Sequence, residues 1–147
     1  MNIAFFITPK SESVYLPHNA TMRQALEKME YHRYTAVPLI NEKGEYVSTL
    51  TEGDLLWKLK NTSGLTFKET SEIRLQDVPK HMHNKPVSIN SDIEDLFSLI
   101  SNQNFVPVVD DKNIFVGIVT RNAVMTYLYN LAQRNHNLTF QANLMSV

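Results

Sequence analysis

The sequence predicts an α/β (α+β) fold in which one strand–helix–strand–strand–helix unit occurs twice. Three observations carry that expectation: a gapless internal repeat, amphipathic stretches placed alike around both copies, and a composition suited to one packed core. At 147 residues the chain has the length of a single domain, and two independent globular domains would be cramped. Its 43% hydrophobic and 20% charged residues are those of a folding chain, not of a disordered one.

The repeat is the first element to justify, because a missed repeat misreads the whole fold. The sequence VPLINEKGEYVSTLT at 37–51 aligns without a gap on VPVVDDKNIFVGIVT at 106–120, at a constant offset of 69 residues. Each copy reads as an apolar strand, a polar turn (41–44 or 110–113) and a second strand ending in threonine, which is a hairpin pattern. A helix follows each hairpin, through Leu55, Leu56 and Leu59 in the first copy and Val124, Tyr127, Leu128 and Leu131 in the second. Another amphipathic stretch precedes each hairpin, with Met22, Ala25, Leu26 and Met29 as one apolar stripe and Ile93, Leu96, Phe97 and Ile100 as the other. Residues 19–21 and Ser91-Asp92 supply N-caps for these helices. A short extended segment opens each unit, Val14-Tyr15-Leu16 and Val87-Ser88-Ile89.

The organisation expected is therefore a first repeat over 1–60, a linker over 61–86, a second repeat over 87–133 and a tail over 134–147. The linker is polar, punctuated by Pro79 and Pro86, with one short apolar turn at 75–78. The tail either extends the last helix or frays.

Charge and composition narrow the function. Fourteen Lys and Arg balance fifteen Asp and Glu, so no global field favours DNA or an anionic membrane, although a local basic pocket stays open. The absence of cysteine removes disulfides, thiolate metal sites and cysteine nucleophiles together and fits a reducing compartment. The apolar run at 3–7 is too short for a signal sequence, and no run approaches the roughly 20 residues a spanning helix needs. A cytoplasmic protein with no membrane insertion is expected. No phosphate-binding glycine loop, nucleophile elbow or paired catalytic carboxylates occur, so no catalytic residue is assigned. His81-Met82-His83 falls short of a four-ligand zinc pattern and reads as a surface loop, so no metal is expected.

The tandem motif, AVPLI at 36–40 running to LTEGDL at 50–55 and FVPVV at 105–109 running to GIVT at 117–120, resembles the CBS domain, named after cystathionine β-synthase. The resemblance covers roughly residues 8 to 130, and its short stand-alone form is similar to small CBS-pair proteins of Gram-positive bacteria. It implies two repeats packed about a pseudo-twofold axis (a Bateman module), a frequent homodimer, and clefts that take adenosine ligands such as AMP, ADP, ATP, S-adenosylmethionine or cyclic di-AMP. It implies regulation of a partner protein, here unidentified, rather than catalysis; the adenine nucleotide is then a regulatory ligand and no cofactor is expected.

The chemistry of such a site needs a carboxylate, whose two acceptor oxygens can take both ribose hydroxyls, helped by a nearby hydroxyl. Thr51-Glu52-Gly53-Asp54 supplies both, whereas the same offset in the second copy gives Thr120-Arg121-Asn122-Ala123. One hydrogen bond to a charged group is worth about 1.5–3 kcal/mol, so the missing carboxylate weakens ribose binding by tenfold or more. Carried over from the family, cleft one combines Thr51 and Asp54 with Val87, Asn104, Phe105, Val106 and Pro107. Cleft two combines Thr120 and Arg121 with Lys10, Val14, Tyr34, Thr35, Ala36 and Pro38. The lysine and arginine of cleft two suit a multiply charged phosphate ligand, so a mononucleotide is expected in cleft one and cyclic di-AMP in cleft two.

Plainer roles stand beside these. Asp54 also reads as a helix N-cap, Thr51 and Thr120 as strand ends, Lys10 and Arg121 as surface charges, and Phe105 and Tyr34 as core aromatics. Two other functions compete with the regulator: a ligand-free constitutive dimerisation module, favoured by Ala123, and a nucleotide-processing enzyme, for which no nucleophile is present.

Overall fold

The structure is a computed structural model that describes residues 1–146. Among these residues are four α-helices and seven strands, and the strands form two sheets. In chain order, β1 (Thr8–Pro9) precedes a first unit of β2 (Leu16–Pro17), α1 (Met22–His32), β3 (Ala36–Ile40), β4 (Tyr46–Thr51) and α2 (Glu52–Asn61). The second unit is β5 (Val87–Ser88), α3 (Ile93–Ile100), β6 (Phe105–Val109), β7 (Phe115–Thr120) and α4 (Arg121–Met145). Strands β2, β3 and β4 make one sheet, with β2 parallel and β4 antiparallel to β3. Strands β5, β6 and β7 repeat that arrangement, so the unit expected from sequence is formed twice.

Local chemistry fixes the helix starts. Thr21 caps α1 by accepting from the Gln24 amide, while the Gln24 side chain accepts from the Thr21 amide. Asp95 takes the Gln24 role at α3, accepting from the Asp92 amide at 3.3 Å. Val14-Tyr15 lies before the first short strand rather than in it: the paired residues are Leu16 and Pro17, and Ile89 likewise lies beyond β5. The last helix runs on to Met145, so the tail extends it, and all of 131–146 is exposed.

The hairpin turns are built alike. Asn41 Oδ1 accepts from the amides of Lys43 and Glu45, and Asp110 Oδ1 from those of Lys112 and Ile114. Gly44 (φ 83°) and Asn113 (φ 63°) take the left-handed position that each turn requires. The turns then meet: the Phe115 amide donates to the Gly44 carbonyl at 2.9 Å and the Tyr46 amide to that of Asn113 at 3.2 Å. Behind this junction Ile40, Tyr46, Val109 and Phe115 form a small core shared by both repeats.

Each repeat also buries the segment that leads into the other. Ile3 and Phe6 sit in the second core, beside Leu96 and Val106. Leu75 and Val78 sit in the first, beside Met22 and Leu50. The backbone contacts are matched pair for pair. Ile93 N donates to Met1 O and Met22 N to Ile73 O, while Ile3 N donates to Ser91 O and Leu75 N to Ala20 O. Residues 61–86, expected as a linker, thus pack on the first repeat through two 3-10 turns and the buried Thr70, Leu75 and Val78. Strand β1 completes the exchange by pairing antiparallel with β7 on the second sheet. That pairing requires Gly117, where an added Cβ would stand 2.2 Å from the Thr8 carbonyl oxygen.

Candidate functional site

The first site is a corner where β4 becomes α2. Thr51 is the N-cap: its hydroxyl accepts from the Asp54 amide at 3.1 Å, and Asp54 Oδ2 accepts from the Thr51 amide at 2.9 Å. Asp54 therefore stands three residues inside the cap rather than at it, which corrects the N-cap reading of that residue. Its remaining oxygen is also occupied. Oδ1 accepts from the His81 amide and contacts the His81 imidazole Nδ1, each at 2.9 Å. Asp54 is 1% exposed, whereas the His81 side chain is 52% exposed. Burial pushes the Asp54 carboxyl up, but the donors from Thr51 and His81 together outweigh it and hold the group below the usual carboxylate range. Beside it, Lys80 turns its ammonium onto the carbonyls of Leu75 and Val78. Burial lowers its pKa against the pull of Asp54 and Asp77.

From His81 the chain runs across to the second repeat. The Tyr46 hydroxyl donates to the Asn84 carbonyl at 2.8 Å and, having one proton, accepts from the Thr49 hydroxyl at 2.8 Å. Burial pushes the Tyr46 phenol up to about 12. Further along, the Lys85 amide donates to Gln103 Oε1, and Gln103 Nε2 donates to the carbonyls of Lys85 and Phe105. Residues 81–85 thus span from Asp54 to the start of β6, which is the span across which cleft one is expected. On the far side Asn104 is exposed, while Val87, Phe105, Val106 and Pro107 are buried. Val106 has no exposed surface and belongs to the second core, so a ligand there could meet its backbone but not its side chain.

The second corner repeats the backbone of the first without its carboxylate. The Thr120 hydroxyl accepts from the Ala123 amide at 3.1 Å, and the Arg121 amide donates to the Asn104 carbonyl as the Glu52 amide does to Thr35. Arg121 Nε donates to the Ile100 carbonyl at 3.0 Å, so the guanidinium serves the end of α3. Lys10 lies 5.2 Å from the centre of the Tyr15 ring, and Lys28 reaches the Tyr15 carbonyl at 3.1 Å. Val14 and Ala36 are half-buried and Pro38 is buried. Tyr34 and Thr35 are exposed and line a groove of about 910 Å³ with Met22, Leu26, Leu56 and Phe67. Beside Ala123, Phe6, Thr8, Tyr127 and Arg134 border a second cavity of about 500 Å³.

His81 and Lys80 were not singled out as site residues by the sequence. The offset that the structure gives between the short strands, Leu16 onto Val87, places Lys10 onto His81. Among the described residues, no cluster of three or more His, Asp or Glu could hold a metal, and no helix is long and apolar enough to cross a membrane. The corner can accept and donate hydrogen bonds.

The family model of the CBS domain matches residues 7–61 and 75–130. No curated protein matches the sequence. A solved structure of CbpB in complex with c-di-AMP superposes with a TM-score of 0.82 at 18% identity, covering 96% of this chain and 91% of that one. A CBS domain protein from Streptococcus pneumoniae TIGR4 gives 0.78 at 22% identity, over 87% and 86% of the two chains. CBSX2 in complex with AMP gives 0.72 at 22% identity, over 89% and 98%.

Proposed function

The chain belongs to the CBS domain family, and from that premise we propose that it is an adenine-nucleotide-sensing regulatory module rather than an enzyme. The observation that carries this reading is the Thr51–Asp54 corner: a hydroxyl and a carboxylate fixed at the start of α2, facing the other repeat across residues 81–85. A ribose offers two adjacent hydroxyls to such a carboxylate, and the apolar strand starts around Val87 and Phe105 suit an adenine read through backbone groups. Two similar structures hold ligands of this class, c-di-AMP in CbpB and AMP in CBSX2. Binding between the repeats would bias their relative arrangement and so change affinity for a partner protein, provided the two arrangements differ in nucleotide affinity. We also propose a cytoplasmic homodimer, with the groove between α1 and α2 as its contact, since Leu56, Leu59 and Phe67 are all exposed there.

The test is a thermal-shift series with AMP, ADP, ATP, S-adenosylmethionine and cyclic di-AMP on wild type, Asp54→Ala and Arg121→Ala. A ligand that binds only the native state at a hundred times its Kd stabilises it by about 2.7 kcal/mol. A shift with one nucleotide that disappears in one variant identifies ligand and cleft together. No shift with any of the five would overturn the reading. It would favour a ligand-free dimerisation module, to which Ala123 and the fully engaged Asp54 already lend support.

A further inference from the structure

We infer that His81 is a latch on the ribose-binding carboxylate: its imidazole holds the Asp54 oxygen that a ribose would need. The inference rests on the nucleotide reading above and adds the step by which cleft one opens. Three observations carry it.

The carboxylate is fully engaged. Oδ2 belongs to the helix cap and Oδ1 carries two contacts from His81, leaving a side chain with no exposed surface. A ribose hydroxyl cannot reach it until something leaves. Of the groups present, the imidazole is the one that can go: its side chain is half-exposed, and it sits in a segment, 80–86, without regular secondary structure. The amides of Thr51 and His81 can stay, and they keep the carboxylate aimed while the imidazole contact is exchanged for ribose hydroxyls.

The segment is also tied at its far end. Asn84 and Lys85 are hydrogen-bonded to Tyr46 in the core shared by both repeats and to Gln103 in the second repeat. With the His81 amide still on Asp54 and these bonds beyond it, the segment keeps its backbone in place while the imidazole alone swings out. The second corner has no such device. Lys10, the counterpart of His81, lies against Tyr15, and Ala123 offers nothing to grip. The latch thus belongs to cleft one alone.

The decisive experiment compares wild type, His81→Ala, His81→Gln and the double variant His81→Ala/Asp54→Ala, by calorimetric titration with AMP and cyclic di-AMP and by melting without ligand. The expected pattern is opposed: His81→Ala melts lower than wild type yet binds AMP roughly tenfold more tightly, the scale of one charge-assisted hydrogen bond. His81→Gln, which keeps a donor, should lie between, and the double variant should lose the gain. A merely structural histidine would lower melting and affinity together. Binding by wild type with equal or weaker binding by His81→Ala overturns the latch alone. Binding of neither nucleotide by any variant overturns the nucleotide reading and the latch with it.

Discussion

The two corners at the starts of α2 and α4 have the same backbone and different chemistry. Both are capped by a threonine hydroxyl 3.1 Å from an amide three residues on, and both have a following amide bound to the carbonyl before a central strand. At the first corner the third position is Asp54, doubly engaged and buried; at the second it is Ala123, and nothing replaces the carboxylate. The comparison teaches that the threonine alone is enough to cap such a corner. A buried, fully bonded carboxylate that its twin position dispenses with is better explained by a task than by the architecture.

The largest expected effect tests whether the repeats are as alike in their cores as in their corners. Leu75→Ala and Ile3→Ala each remove a fully buried side chain from matched places in the two cores. Each should cost about 2–5 kcal/mol in denaturant unfolding. Equal losses within one cooperative transition would support a single folding unit; a loss confined to one of two transitions would break the equivalence.

Smaller, and more pointed, is the loss of the carboxylate. Asp54→Ala leaves the His81 amide and the Thr51 amide without their acceptor and should cost about 1–3 kcal/mol. The reverse change, Ala123→Asp, should leave stability nearly unchanged and give the second corner a ribose acceptor, read as tighter AMP binding by titration. No gain would show that Arg121 and Lys10, engaged elsewhere, leave cleft two unable to use it.

Acidification should erase the difference between wild type and Asp54→Ala. The Asp54 pKa is lower in the folded protein than that of an ordinary aspartate, so the unfolded chain binds the proton first. Its stabilising contribution is complete above the ordinary carboxylate range and is lost as pH falls through the depressed folded value. Unfolding curves of the two proteins should therefore converge at strongly acid pH and separate near neutrality. Curves that stay parallel would mean that the carboxylate is not held ionised by its donors.

The smallest effect should be Thr120→Ala, which removes one cap at about 1 kcal/mol, typical of such caps. Thr51→Ala should cost more, because the same hydroxyl there sits in a reciprocal box with Asp54. Melting temperatures of the pair rank them directly.

Much of this was legible in the sequence, for a physical reason: the repeat exposes every local rule twice. The hairpins and their Asn41 and Asp110 turns follow from chemistry confined to a few residues and form as expected, whereas the caps of α2 and α4 fall on Thr51 and Thr120, expected only as strand ends, and not on Asp54. Contacts between distant segments were less legible. The sequence shows an apolar turn at 75–78 and an apolar run at 3–7 without saying where either packs, and the exchange of segments is settled by tertiary contacts. The first short strand was read two residues early, since Val14 and Tyr15 look as strand-like as Leu16 while the pairing falls on Leu16 and Pro17. His81 was passed over because its partner lies 27 residues away and the local pattern around it reads only as a polar loop.

The crossed segments have a consequence for what a single repeat could be. A chain carrying one repeat and its own leading segment would hold a core with a vacancy and an apolar turn with nowhere to go. A second such chain would have both in complement, so two half-length polypeptides would complete one another by trading leaders. The two-repeat chain is then a dimer of halves written in one sentence of sequence.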